Sequence, residues 1–180
     1  MSHNLIKKLE PIGHQDTYDK EPFEEYKKRV APLLPNFPAC ALENWIYRHW
    51  SQINDYAFLG FERMVFKNEL WPKDDIYNNI KSYHSDMIDS LGYQIYERHD
   101  KTWLQKYILK YRTWNVPIIV YENNTYPEMG KPYHLIEGHL RLNYFRTIYR
   151  KEKEVLKDNH RVWVVTIPIS EEESGNRISN

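Results

Sequence analysis

Glu137-Gly138-His139-Leu140-Arg141 places an acid, a glycine, an imidazole and a guanidinium within five residues. The run lies where a short apolar stretch, Tyr133-His134-Leu135-Ile136, gives way to Leu140, Tyr144, Phe145, Ile148 and Tyr149 at helical spacing. A strand that ends on a glycine and passes directly into a helix exposes the first backbone N–H groups of that helix, and their dipoles favour an anion. Gly138 lets the chain bend sharply and lets a ligand come close. Arg141, one turn in, can fork onto a phosphate or a carboxylate. His139 at the lip can donate a hydrogen bond or carry a proton. Glu137 can hold a metal ion or act as a base. Each also has a plainer use: Arg141 can brace the helix against a carboxylate, Glu137 can complement the helix dipole, and His139 can be a surface residue.

Holding such a turn requires a sheet before it and a helix after it. Val116-Pro117-Ile118-Ile119-Val120-Tyr121 predicts a buried strand, residues 123–132 a loop, and Tyr133-His134-Leu135-Ile136 a second strand. A helix begins near Gly138, and Arg161-Val162-Trp163-Val164-Val165-Thr166-Ile167 predicts a third strand stopped by Pro168. Ile118, Val120, Leu135, Tyr144, Ile148, Trp163 and Val165 are expected to share one buried face, with the parity along each strand open by one residue.

Upstream, the pattern turns helical. Helices are predicted over 22–30, over 39–53 with Leu42, Trp45, Ile46, His49, Trp50 and Ile53 inward, and over 73–91 with Ile76, Ile80, Tyr83, Met87, Ile88 and Leu91 on one face and Gly92 as its stop. A shorter helix over 102–111 starts near Asp100 and turns Leu104, Ile108 and Tyr111 inward. The chain therefore reads as a polar N-terminal arm (1–21), a mostly helical region (22–99), an α+β core (100–168) and a polar tail (169–180).

The order strand, short excursion, then Leu135-Ile136-Glu137-Gly138-His139-Leu140-Arg141-Leu142 resembles the core of the ParB/sulfiredoxin superfamily, over residues 100–167. The Gly138-x-x-Arg141 spacing resembles the phosphate-contacting motif of partition proteins. The fuller acidic-Gly-His-x-Arg form is similar to that of ParB-like small-molecule kinases. The resemblance implies a small mixed sheet with flanking helices. It implies that Gly138, His139 and Arg141 contact nucleotide phosphates, and that Glu137 takes the acidic position. The turn lacks the cysteine of sulfiredoxin, and the chain given ends soon after Ile167, with no helix-turn-helix domain of the partition type behind it. The related kinases use a second carboxylate upstream, for which Glu62 and Glu69 qualify by position alone.

The remaining composition narrows the function. Lys and Arg together number 25 and so do Asp and Glu, so bulk electrostatic attraction to nucleic acid or an anionic membrane is not expected. A local basic patch stays open. One cysteine, Cys40, excludes an internal disulfide framework. No apolar run reaches membrane-spanning length, so a cytoplasmic protein is expected. His134, Glu137 and His139 match no common zinc spacing, and no zinc is expected. Arg146, Arg150 and Lys151 read as a solvated face, and Trp45, Trp50, Phe58 and Phe61 as core. The expectation is a nucleotide- or phosphate-ligand-binding protein. If catalytic, it would perform phosphoryl transfer or phosphodiester chemistry, with Mg²⁺ between phosphate and Glu137. The alternative is a non-catalytic interaction module, of an immunity or phage-related kind, whose aromatic N-terminal half binds a protein partner.

Overall fold

The computed structural model describes residues 3–13, 19–83 and 90–168. The chain folds as two compact units, one comprising Met1–Phe66 with Thr166–Asn180, the other Lys67–Val165. Among the described residues, no helix is long and apolar enough to cross a membrane.

The first unit is helical and is held together by aromatic burial. It contains α1 (His3–Leu9), α2 (Phe23–Val30), α3 (Ala39–Ala41), a π-helical stretch Leu42–Tyr47 that continues α3, and the 3-10 helices Trp50–Leu59 and Phe61–Arg63. Trp45 is buried and meets Phe61 and Tyr56 edge-on, with ring centroids 5.4 and 5.9 Å away. The single helix predicted over 39–53 is thus three windings. Leu42, Trp45, Ile46 and Ile53 are buried as their spacing requires, but each change of pitch rotates the later residues about the axis, and His49 ends up exposed. The expected polar arm is also partly helix. Leu9 of α1 is fully buried, because Tyr26 Oη donates to its carbonyl at 2.8 Å and Arg29 donates to the carbonyls of Lys8 and Glu10. The polar tail from Ser170 lies outside the described residues.

The second unit is built on a five-stranded mixed sheet, so the chain is α+β. Its elements, of which β1 begins and β5 ends just outside the bounds of the unit, are β1 (Val65–Pro72), α4 (Lys73–Asn79), β2 (Ile80–Lys81), α5 (Gln94–Glu97), α6 (Trp103–Tyr111), β3 (Ile118–Glu122), β4 (Tyr133–Glu137), α7 (His139–Glu152) and β5 (Asn159–Thr166). The strand order is β1-β5-β3-β4-β2. β3 is parallel to β5 and antiparallel to β4, and β2 is parallel to β4.

Register settles the parity of the core. Ile118 pairs with Val162 and Val120 with Val164, so these four share a face with Leu135, Tyr144 and Ile148 in one buried cluster. Trp163 and Val165, expected on that face, point to the other side because alternation along β5 is shifted by one residue from the sequence reading.

The helix predicted over 73–91 stops at Asn79. Ile80 instead pairs with Tyr133, and its carbonyl accepts a 2.7 Å hydrogen bond from Arg146 Nη2, so tertiary pairing overrides the helical pattern. Ile76 and Ile80 are buried all the same, Tyr83 and Leu91 are exposed, and Met87 and Ile88 lie outside the described residues. Residues 90–92 are helical and the chain turns at Tyr93, so Gly92 does end a helical run, though not α4. A Cβ there would collide with Thr147 Oγ1 and the Asn143 carbonyl, so it is the close approach to α7 that requires glycine. Arg146 is buried, a correction to the solvated face read for it, whereas Arg150 and Lys151 are not among the buried residues.

Candidate functional site

β4 ends at Glu137, Gly138 adopts φ +103°, and α7 begins at His139. The expected strand–glycine–helix passage is therefore present. Glycine is needed here twice. The positive φ is strained for any L side chain, and a Cβ would stand 2.5 Å from Ile118 Cγ2. The same Cβ position lies 3.3 Å from Arg141 Nε, so the guanidinium folds back over the turn. Leu142 N–H donates to the Gly138 carbonyl at 2.9 Å and closes the first turn. No side chain caps this helix start, and its first turn holds no acidic residue.

Arg141 pairs through Nη2 with Glu137 Oε2. Both residues are buried, at 7% and 8% exposure. Taking two charges out of water is costly, and a single contact does not compensate an arginine with five N–H donors. Arg141 Nε is buried and has no hydrogen-bond partner among the described residues. Nε and Nη2 form the side edge of a guanidinium, the edge that grips two oxygens of one anion. Glu137 occupies only one of these two positions.

His139 is half-buried at the start of α7. His134, one strand back, is completely buried, and its Nδ1 accepts the Gly130 N–H at 3.0 Å. Burial, with a smaller contribution from His139, pushes the His134 pKa down to about 4, so it is neutral near pH 7. His134 pairs with Tyr121 and Glu137 with Ile119, and the register shift between these pairs puts both side chains on the same face of the sheet. Among the described residues, no three His, Cys, Asp or Glu side chains gather as a metal site.

The upstream carboxylates have other positions. Glu69 accepts from Trp71 Nε1 at 2.7 Å and pairs with Lys67 at 2.8 Å, and these two partners hold its carboxyl below the ordinary range. It acts electrostatically on Tyr133, which begins β4, whereas Glu137 ends that strand roughly 13 Å further on. Glu62 is exposed in the first unit. Cys40 is half-buried there, with a free thiol.

Sequence reasoning missed one neighbour of the turn and two buried polar residues further along α7. Ile118 is the steric reason for Gly138. Asn143 and Thr147, buried one turn apart on α7, each leave one side-chain polar atom without a partner among the described residues. Their i, i+4 spacing, which puts two small polar residues on one face of α7, was the available signal. Comparison with protein-family models, with curated proteins and with solved structures returns no match.

Proposed function

We propose that the Gly138 turn binds the phosphate of a nucleotide or a related small ligand, in a fold like the ParB/sulfiredoxin core. The observation that carries this reading is the half-used side edge of Arg141. Its Nη2 holds Glu137, while its Nε is buried without a partner among the described residues, over an uncapped helix start. A phosphate there would receive Nε, Nη2 and the helix-start N–H groups at one point, and the positive end of the α7 dipole would favour its charge. Glu137 then acts as an internal placeholder for the anion.

The turn offers a divalent ion one carboxylate, Glu137. Mg²⁺ would therefore enter with the nucleotide, its other ligands being phosphate oxygens and water. Displaced from Arg141, Glu137 is positioned to take that ion. In phosphoryl transfer His139, at the lip of the turn, would receive the proton of the acceptor hydroxyl.

Titration calorimetry of the full chain with a panel of nucleotides, with and without Mg²⁺, tests the reading. Binding is expected for the wild-type protein, weakened more than tenfold in Arg141→Ala once folding has been verified, because a charge-assisted hydrogen bond contributes about 1.5–3 kcal/mol. Absence of heat with every nucleotide removes the ligand from the turn. Equal binding by both proteins removes Arg141 from the site.

A further inference from the structure

Helix α6 carries two parallel rows on its outer side. Trp103, Tyr107 and Tyr111 recur every four residues, as do Lys106 and Lys110 beside them. The rings form a continuous ladder, with centroids 5.8 Å apart between Trp103 and Tyr107 and 4.5 Å between Tyr107 and Tyr111. They do not belong to the core: Trp103 is 64% and Tyr111 44% exposed, whereas Gln105 and Ile108 hold the inner face. Tyr107 between them is half-buried, and an exposed tryptophan and tyrosine bridged by a third ring are an uncommon surface feature without a use.

The charge of this segment departs from the rest of the chain. From residue 98 to residue 112 there are five Lys or Arg and one acid, Asp100, although the whole protein is balanced at 25 of each sign. Lys106 and Lys110 are exposed. Lys110 Nζ lies 5.0 Å from the centre of the Tyr111 ring. The acidic group facing the C-terminal end of the row is Glu152, 3.9 Å from Arg112 and already bonded to Tyr96 Oη.

We infer that this face of α6 binds single-stranded nucleic acid, its rings stacking on bases and its lysine row following the phosphates. The ring centroids, 5.8 and 4.5 Å apart, are spaced more widely than the roughly 3.4 Å of bases stacked along one strand, which suits successive unstacked bases better than a stacked duplex. Every base has a π-face, so such a ladder reads no sequence. An acidic peptide would satisfy the lysines but has no planar groups for three rings. The duplex phosphate lattice is not matched either, because the basic row is one helix long.

Fluorescence anisotropy of labelled oligothymidylate and oligouridylate with the full chain tests this. Binding is expected at low salt, falling as salt rises because counterions are released. Trp103→Ala is expected to weaken it about tenfold or more, and Lys106→Glu with Lys110→Glu to remove it. These three side chains are exposed, so circular dichroism should show unchanged folding. Saturating mononucleotide is expected to leave oligonucleotide binding intact, because the Gly138 turn is a separate site. Three results overturn the inference: no binding at low salt, Trp103→Ala binding as tightly as wild type, or polyglutamate displacing the oligonucleotide at equal charge. The last would indicate an acidic protein partner instead.

Discussion

Helices α6 and α7 belong to the same unit and start in opposite ways. At the start of α6, Thr102 Oγ1 accepts the Gln105 N–H at 3.3 Å, and Gln105 Oε1 accepts the Thr102 N–H at 2.9 Å. This reciprocal capping satisfies two of the helix's orphan donors from within. α4 uses charge for the same purpose, with Asp74 and Asp75 in its first turn. α7, the longest of the three, has neither device. It follows a glycine, lacks a side-chain cap, and carries Arg141 in its first turn where stability alone would place an acid. A cation at the positive end of a helix dipole is tolerated only beside a negative partner. Glu137 supplies that partner, and a ligand phosphate would supply a better one. The difference teaches that the α7 start forgoes the stabilising devices of its neighbours, as the anion site proposed above would require.

The comparison can be broken first at the ion pair. Arg141→Ala should destabilise the protein by about 3–5 kcal/mol, because the buried carboxylate of Glu137 loses the guanidinium that balances its charge. Replacing both, as Arg141→Met with Glu137→Leu, should recover most of that loss. Chemical denaturation of the two variants checks it. A double variant as unstable as the single would mean that the pair itself holds the fold.

Gly138→Ala should cost about 2–4 kcal/mol, from the positive φ and the overlap with Ile118. The shorter Ile118→Ala side chain should relieve part of this in the double variant, and thermal melting reads the coupling.

Acid should strike both regions. His134, close to the α7 start, and His160, which bonds Thr113 just beyond α6, are each pushed down to about pKa 4, mainly by burial. In the unfolded chain each protonates below about pH 6.5, so between pH 6.5 and 4 the unfolded state binds more protons than the folded one. Stability should therefore fall as pH drops through that window, by at most about 3 kcal/mol per histidine. Denaturant midpoints recorded from neutral pH downward would show it, and His134→Gln should flatten part of the slope. A flat wild-type profile would contradict the buried neutral state.

The smallest effect belongs to α6. Thr102→Ala should lose about 1 kcal/mol and leave ligand binding at the turn untouched.

The part of the fold legible in the sequence was local chemistry. Gly138 announced the turn because few other residues let a strand bend directly into a helix, and the β-branched run at Ile118 announced β3. Fragments whose state is set by partners were not legible. Ile80 carries a helical pattern yet pairs with Tyr133, and β1 alternates polar and apolar residues too weakly, with Lys67, Asn68 and Glu69 in its middle, to announce an edge strand. Asp100 looks like a helix cap, but Thr102 does the capping, and Tyr111 faces out where its spacing suggested burial. Aromatics of the N-terminal half went where composition pointed, with Trp45 and Phe61 in the core, although Phe58 stays 49% exposed. At the turn, the residue types in the sequence were enough to propose a phosphate ligand. The Glu137–Arg141 pairing was not readable, because it depends on the guanidinium folding back over Gly138.

The placeholder role of Glu137 is tested most directly by phosphate calorimetry on Glu137→Gln without Mg²⁺. If Glu137 holds the place of an anion, removing its charge should tighten phosphate binding about tenfold over wild type, because Arg141 no longer has to release a carboxylate. Binding that weakens in Glu137→Gln, or an absence of binding in both proteins, would contradict the account.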